Sequence, residues 1–215
     1  MIISLLLILT SFSFGISSID ILDILGDDVN WELKSIKNRT KIFSYKNKET
    51  NLNIIKIEQK IENINNQEIF DVIKDINNYN NIISNSSLDS KLVRTFKDTL
   101  WVYQSIKNSI PFTRDRQYVF KMYNISPDKL VWIIDEKYKL SNKANSQDSK
   151  TLKIGAGIWE FEYEKNKKFL VNKIYVNDEI NIPELFIEKL RREHVYQIFE
   201  DIMNVVTENK ERGVK

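Results

Sequence analysis

The stretch TLKIGAGIWEFEYEKNKKFLVNKIYVN, residues 151–177, decides the fold class. It reads as two strands, 151–164 and 169–177, joined by Lys165-Asn166-Lys167-Lys168. β-Branched and aromatic residues dominate both runs, and the polar joint between them is a hairpin turn. Alternation is clear but changes phase part-way. Leu152, Ile154 and Ala156 share one parity, whereas Trp159, Phe161 and Tyr163 share the other. The switch falls at Gly155-Ala156-Gly157, where a β-bulge would carry the strand from one face to the other.

Working outward, the same signature recurs. Residues 91–96, 100–107, 117–124 and 130–137 are further strands, separated by short polar breaks at Lys97-Asp98 and Ser126-Pro127-Asp128 and by a longer loop, 108–115, read as a lid or a surface connection. Residues 52–62 form the clearest alternating strand. Ile55, Ile57 and Ile61 take one parity and Lys56, Glu58 and Lys60 the other, so one face is expected dry and one wet. Two shorter strands surround Leu33 and Ile42-Phe43, with a turn at Lys37-Asn38-Arg39. Residues 66–74 carry a helical stripe of Ile69, Phe70 and Ile73, capped by Asn65 or Asn66. Residues 75–87 are Asn-rich and read as irregular, and 142–150 as a polar loop. Residues 183–209 form a long helix that opens on Pro183, with Val195, Ile198, Phe199, Ile202, Val205 and Val206 at helical spacing.

Composition removes several functions. The 215 residues include no Cys and a single His, which excludes disulfides, thiol nucleophiles and multi-His metal sites. Thirty-two Lys and Arg face thirty Asp and Glu, so there is no basic excess of the kind that binds nucleic acid. No cofactor-binding glycine loop or catalytic triad order is present. Residues 1–19 carry no charge, and their apolar run ends in small residues. This is the pattern of a secretory signal peptide cut after Gly15, with an uncleaved anchor as the alternative. It places the protein in a secreted or periplasmic setting and divides the chain into 1–19 and a single domain, 20–215. Residues 19–25 are a short amphipathic helix with Ser18 as cap. Asn38, Asn85 and Asn124 each begin an Asn-x-Ser/Thr triplet, the glycosylation acceptor pattern.

Short connections between successive strands favour antiparallel pairing. A curved antiparallel sheet wrapped around a long C-terminal helix is then the α+β solution. Such a grip leaves room for an apolar cavity with a few polar groups. Trp101, Tyr103, Trp132, Trp159 and Phe161 lie on strands and are candidate wall residues; their alternative is plain core. Arg116 is a candidate donor to a polar headgroup. Leu190 and His194 share a helix stripe with Ile187 and Ile198, facing the sheet. The partner expected of such a cavity is an apolar small molecule, with transient membrane contact, no nucleic acid and a monomeric state.

The chain resembles the START domain, a helix-grip lipid-binding family. Trp31-Glu32-Leu33-Lys34 followed by Lys41 to Tyr45 is similar to its opening strand pair. Asp75-Ile76-Asn77-Asn78-Tyr79 resembles the end of its second helix. Ile110-Pro111-Phe112 with Arg116-Gln117-Tyr118-Val119, Gly157-Ile158-Trp159, and Ile182-Pro183 before the long helix are similar to its later elements. Ile82 stands where a Trp is usual in the family. Its Arg-Asp pair has two matches here: Arg114-Asp115 is the literal dipeptide, whereas Arg116, in the better register with Val119, is followed by Gln117 in place of the acid. The resemblance implies binding or transfer of a lipid or sterol-like apolar molecule without catalysis. Aromatase/cyclase-like enzymes on the same fold, and a ligand-free interaction domain with a filled interior, are the alternatives.

Overall fold

The computed structural model describes residues 16–85, 87–107, 114–138, 149–177 and 184–213. Most of the N-terminal apolar run, residues 108–113 of the expected lid, residues 139–148 and the Ile182-Pro183 pair lie outside them.

Ten strands form one sheet among the described residues. They are β1 (Glu32–Lys37), β2 (Thr40–Lys46), β3 (Asn53–Ile61), β4 (Leu88–Phe96), β5 (Thr99–Ile106), β6 (Arg116–Ser126), β7 (Lys129–Ile134), β8 (Lys150–Thr151), β9 (Gly155–Glu164) and β10 (Lys167–Val176). The order is β1-β2-β3-β10-β9-β7-β6-β5-β4, every neighbour antiparallel, with β8 pairing in parallel to β6. Chain neighbours joined by short turns sit side by side, as expected of hairpins. The β9–β10 hairpin turns on Lys165 and Asn166, both at positive φ (45° and 63°). These are the two central residues of a turn whose twist matches the strands it joins.

The phase change in residues 151–164 has a different cause from the one expected. The run is two strands: β8 ends at Thr151, the chain breaks at Leu152–Ile154, and β9 starts at Gly155. Leu152 belongs to the inner core and Ile154 packs with the outer one. A strand boundary, not a bulge, separates the two parities.

Among the described residues the helices are α1 (Ser18–Gly26), α2 (Asn66–Lys74), α3 (Tyr79–Ile82) and α4 (Glu184–Glu211). Helix α2 opens on a capping box in which Asn65 and Glu68 each accept from the other's backbone. A 3-10 turn and α3 lie within residues 75–87, read as irregular. Helix α4 runs for 28 residues, about 42 Å at 1.5 Å per residue. Its buried stripe is Val195, Phe199, Ile202 and Val206, with Tyr196 and Met203 alongside. Ile198 and Val205 sit at the margin of that stripe, half-buried.

The outer face of the sheet departs from simple alternation. Helix α1, capped by Ser17 with Asp20 closing a capping box, lies on that face. Ile21 and Leu25 are fully buried against Ile54, Val131, Ala156 and Ile158. Ser18 and Ile19 form the first turn of this packed helix, and Ser18 Oγ accepts from Gly155 N–H at 3.2 Å. Lys56, expected wet, is buried. Its ammonium lies over the Trp31 and Phe43 rings and pairs with Glu58 at 3.1 Å. Beside it, Lys173 pairs with Glu160 at 2.7 Å. Buried charges of this kind persist only when paired.

Candidate ligand cavity

Inner-face residues follow strand parity, and parity sorts the candidates. On β6, Arg116, Tyr118, Phe120 and Met122 point inward, and on β7 so do Leu130, Trp132 and Ile134. On β9 the inward set is Gly155, Gly157, Trp159 and Phe161. Between this surface and α4 lies a cavity of about 670 Å³. The size falls within the few hundred to a thousand Å³ usual for small-molecule sites.

The wall is mostly apolar. Phe120 packs on Trp132 with ring centroids 5.5 Å apart, and Trp159 stacks on Phe199 of α4 at 5.5 Å and 15°. Gly157 has a specific part in this wall. It sits opposite Trp132 in the β7–β9 register. A Cβ there would stand 2.3 Å from Trp132 Nε1, so the glycine provides the flat seat on which the indole lies. Helix α4 closes the cavity with Ile187, Leu190, His194, Ile198 and Ile202. At the far end Phe70 of α2 meets Phe161 at 5.1 Å.

Of the eight residues expected at the site, the structure brings Arg116, Trp132, Trp159, Leu190 and His194 together around the cavity. Trp101 and Tyr103 lie on the other face of β5, because fully buried Val102 and inward-facing Gln104 take the inner parity. Trp101 Nε1 donates to Asp135 Oδ2 at 3.1 Å, with Arg94 and Lys121 over its ring. Tyr103 Oη donates to Gln117 Oε1 at 3.2 Å. The run Leu100 to Ile106 has apolar residues at both parities, so its sequence does not reveal which set faces in. Phe161 faces inward but plugs the closed end against α2 instead of lining the space.

Several polar wall residues were not singled out from sequence. Tyr118 Oη donates to Gln104 Oε1, and Gln104 Nε2 donates to Ser90 Oγ at 2.8 Å. Asn172, also buried in the wall, donates from Nδ2 to the Ile158 carbonyl at 3.1 Å. Burial pushes the Tyr79 and Tyr118 hydroxyls well above the usual phenol range. Arg116 is buried, and its Nη1 donates to the Arg114 carbonyl. Gln117 faces the opposite side, where Nε2 donates to Thr151 Oγ1 at 3.3 Å. An inward polar residue in a strand of apolar neighbours is the sequence signal that would have marked Gln104 and Asn172.

Both long sides of α4 are tied down. Toward β1–β3, Lys37 pairs with Glu193, Asn38 Nδ2 donates to Tyr196 Oη at 3.3 Å, and Thr40 Oγ1 donates to Glu200 Oε1 at 2.8 Å. On the other side, buried Asp201 accepts from Ser84 N–H at 2.8 Å and Ser84 Oγ at 2.9 Å. The first turns of α4 carry exposed Phe186 and Leu190. No helix among the described residues is long and apolar enough to cross a membrane.

No family model matches the chain, and no curated protein sequence does. Solved structures do match. A STAR-related lipid transfer protein from Xanthomonas axonopodis superposes with a TM-score of 0.67 at 12% identity, covering 82% of this chain and 98% of its own. Human StAR-related lipid transfer protein 5 gives 0.63 at 10% identity, covering 87% and 91%. The di-domain ARO/CYC protein StfQ of the steffimycin biosynthetic pathway gives 0.50 at 8% identity, covering 74% of this chain and 52% of that one. At these identities the likeness is one of fold: a curved antiparallel sheet gripping a long C-terminal helix.

Proposed function

We propose that this START-type helix-grip fold serves to bind a lipid or other apolar small molecule between its sheet and α4, without catalysis. One observation carries the reading: an open space of about 670 Å³ with an aromatic and aliphatic wall, where a protein built only for packing would be filled. Burying about 400 Å² of apolar ligand surface there would contribute about 10 kcal/mol before the costs of immobilisation. Release requires α4 to part from one of its two tethered sides, and the exposed Phe186 and Leu190 suit transient contact with a bilayer surface. The rival reading, an enzyme similar in fold to the ARO/CYC protein, needs groups that exchange protons near neutral pH. Burial moves the Tyr79 and Tyr118 hydroxyls further from neutral pH and lowers the His194 pKa, which supports binding over catalysis.

The experiment is native mass spectrometry of the purified protein, with extraction and identification of any bound lipid. Co-purification or uptake of an apolar molecule at one per chain is expected. An empty protein that takes up nothing from a lipid panel refutes the reading, and chemical conversion of a bound molecule favours the enzyme. We further propose that the chain is exported as a monomer and loses residues 1–15. Cleavage after Gly15 would leave Ile16 and the Ser17 cap, so α1 would remain whole. The mass of the mature chain checks this directly.

A further inference from the structure

We infer that His194 is a fixed, uncharged hydrogen-bond donor inside the cavity, and that it selects a neutral apolar ligand bearing a hydroxyl or carbonyl oxygen. The inference rests on the cavity reading above and sharpens it. His194 is the chain's one histidine and lines the cavity from α4. Its Nδ1 lies 2.8 Å from Asn85 Nδ2. The oxygen of the same Asn85 amide accepts from Ser87 N–H at 3.0 Å and from Ser87 Oγ at 2.6 Å. A backbone N–H only donates, so the Asn85 oxygen must face Ser87 and its NH₂ must face the imidazole. An amide NH₂ cannot accept, so Nδ1 must supply the lone pair. A neutral imidazole that accepts at Nδ1 carries its proton on Nε2.

Among the described residues Nε2 has no protein acceptor; Asn85 is the ring's single hydrogen-bond partner. The donor is therefore left for whatever occupies the cavity. Charging the ring would set N–H against N–H₂ at Asn85. The surroundings disfavour it as well. Among the described residues, Lys107, Arg116 and Arg191 line the cavity, the one carboxylate there, Glu193, is paired to Lys37, and the other titratable side chains are Tyr79, Tyr118 and Tyr175. Burial also pushes the His194 pKa below its ordinary value. The Asn85 and Ser87 of the expected glycosylation triplet are thus engaged in orienting a ring on a helix 109 residues away.

The test uses the full chain labelled with ¹⁵N, in which the single imidazole gives unambiguous signals. A proton on Nε2 and none on Nδ1 is expected at about pH 8 and still at about pH 7. Asn85→Ala should return the ring to a mixture of tautomers titrating nearer the ordinary value. Three probes follow: dodecan-1-ol, dodecan-2-one and dodecane. The two oxygenated probes should move the Nε2–H signal and bind about 3- to 10-fold tighter than dodecane, and His194→Leu should erase that preference. A proton on Nδ1, or equal affinity for all three probes, overturns the inference and leaves apolar binding standing. Failure of every probe to bind overturns it together with the reading on which it rests.

Discussion

Substituting Gly157→Ala tests how the wall of the cavity is built. The new methyl group would meet Trp132 Nε1 at 2.3 Å, Cε2 at 2.6 Å and Cζ2 at 2.9 Å. Ordinary carbon contacts lie at about 3.5 Å, so the indole must move by about 1.2 Å. Phe120 already packs against one side of that ring, at 5.5 Å between centroids. The open direction is the cavity. Overpacking of this kind costs about 1–3 kcal/mol, and replacing a strand glycine returns about 0.5–1 kcal/mol. A net loss of roughly 1–2 kcal/mol is expected. Ligand loading should fall more steeply than stability, because Trp132 is pushed into the space a ligand would fill. Urea denaturation gives the first quantity and native mass spectrometry the second. Adding Trp132→Phe should restore both, since the smaller ring clears the methyl group. A Gly157→Ala protein as stable and as well loaded as the parent would refute the argument, as would a double variant worse than either single one.

Other outcomes follow from the same geometry. Trp159→Ala removes a side chain only 5% exposed and stacked on Phe199, so it should cost about 3–5 kcal/mol in denaturant titrations, as well as ligand binding. Asp201→Ala strips Ser84 of its carboxylate partner and should lower stability by about 1.5–3 kcal/mol, read from the same titrations. Acid should destabilise the protein in two stages. Burial holds the His194 pKa below its ordinary 6.5, so the unfolded chain takes up the proton first and stability falls as pH drops below that value. Glu58 and Glu160 come next. Burial opposes their ionisation, but hydrogen bonds from Lys41 and Lys56, and from Lys173 and Lys129, outweigh it and hold both below 4.5. Their contribution is present above that pH and lost as pH falls through the lowered values. Thermal melts across this range should show both stages, and His194→Gln should remove the upper one alone.

The hairpins, the α2 cap and the buried stripe of α4 were legible because each is local. Lys165-Asn166 between two alternating runs, Asn65 with Glu68, and Val195 through Val206 at helical spacing declare themselves within a few residues. The ordered segments shared with START domains pointed to the same architecture. Strand parity is also local, but only as a relative statement. It shows that Trp101 and Tyr103 lie opposite Val102 and Gln104 without showing which pair faces the helix. The buried Lys56 was missed for a related reason. Its neighbours alternate as in a half-wet strand, whereas Trp31, just before β1, and Phe43 of β2 come in to cover it.

By itself, then, the sequence determined most of the element types, the antiparallel succession of the main strands, the grip on a C-terminal helix and the absence of thiol and multi-His chemistry. Tertiary structure decided which face of each strand looks inward, that α1 shields the outer face, that an open space persists under α4, and which nitrogen of His194 carries the proton. The physical reason is distance along the chain. Periodicity and caps arise from neighbours a few residues apart, whereas the seat of Trp132 on Gly157 and the hold of Asn85 on His194 come into being only when the sheet curves around its helix.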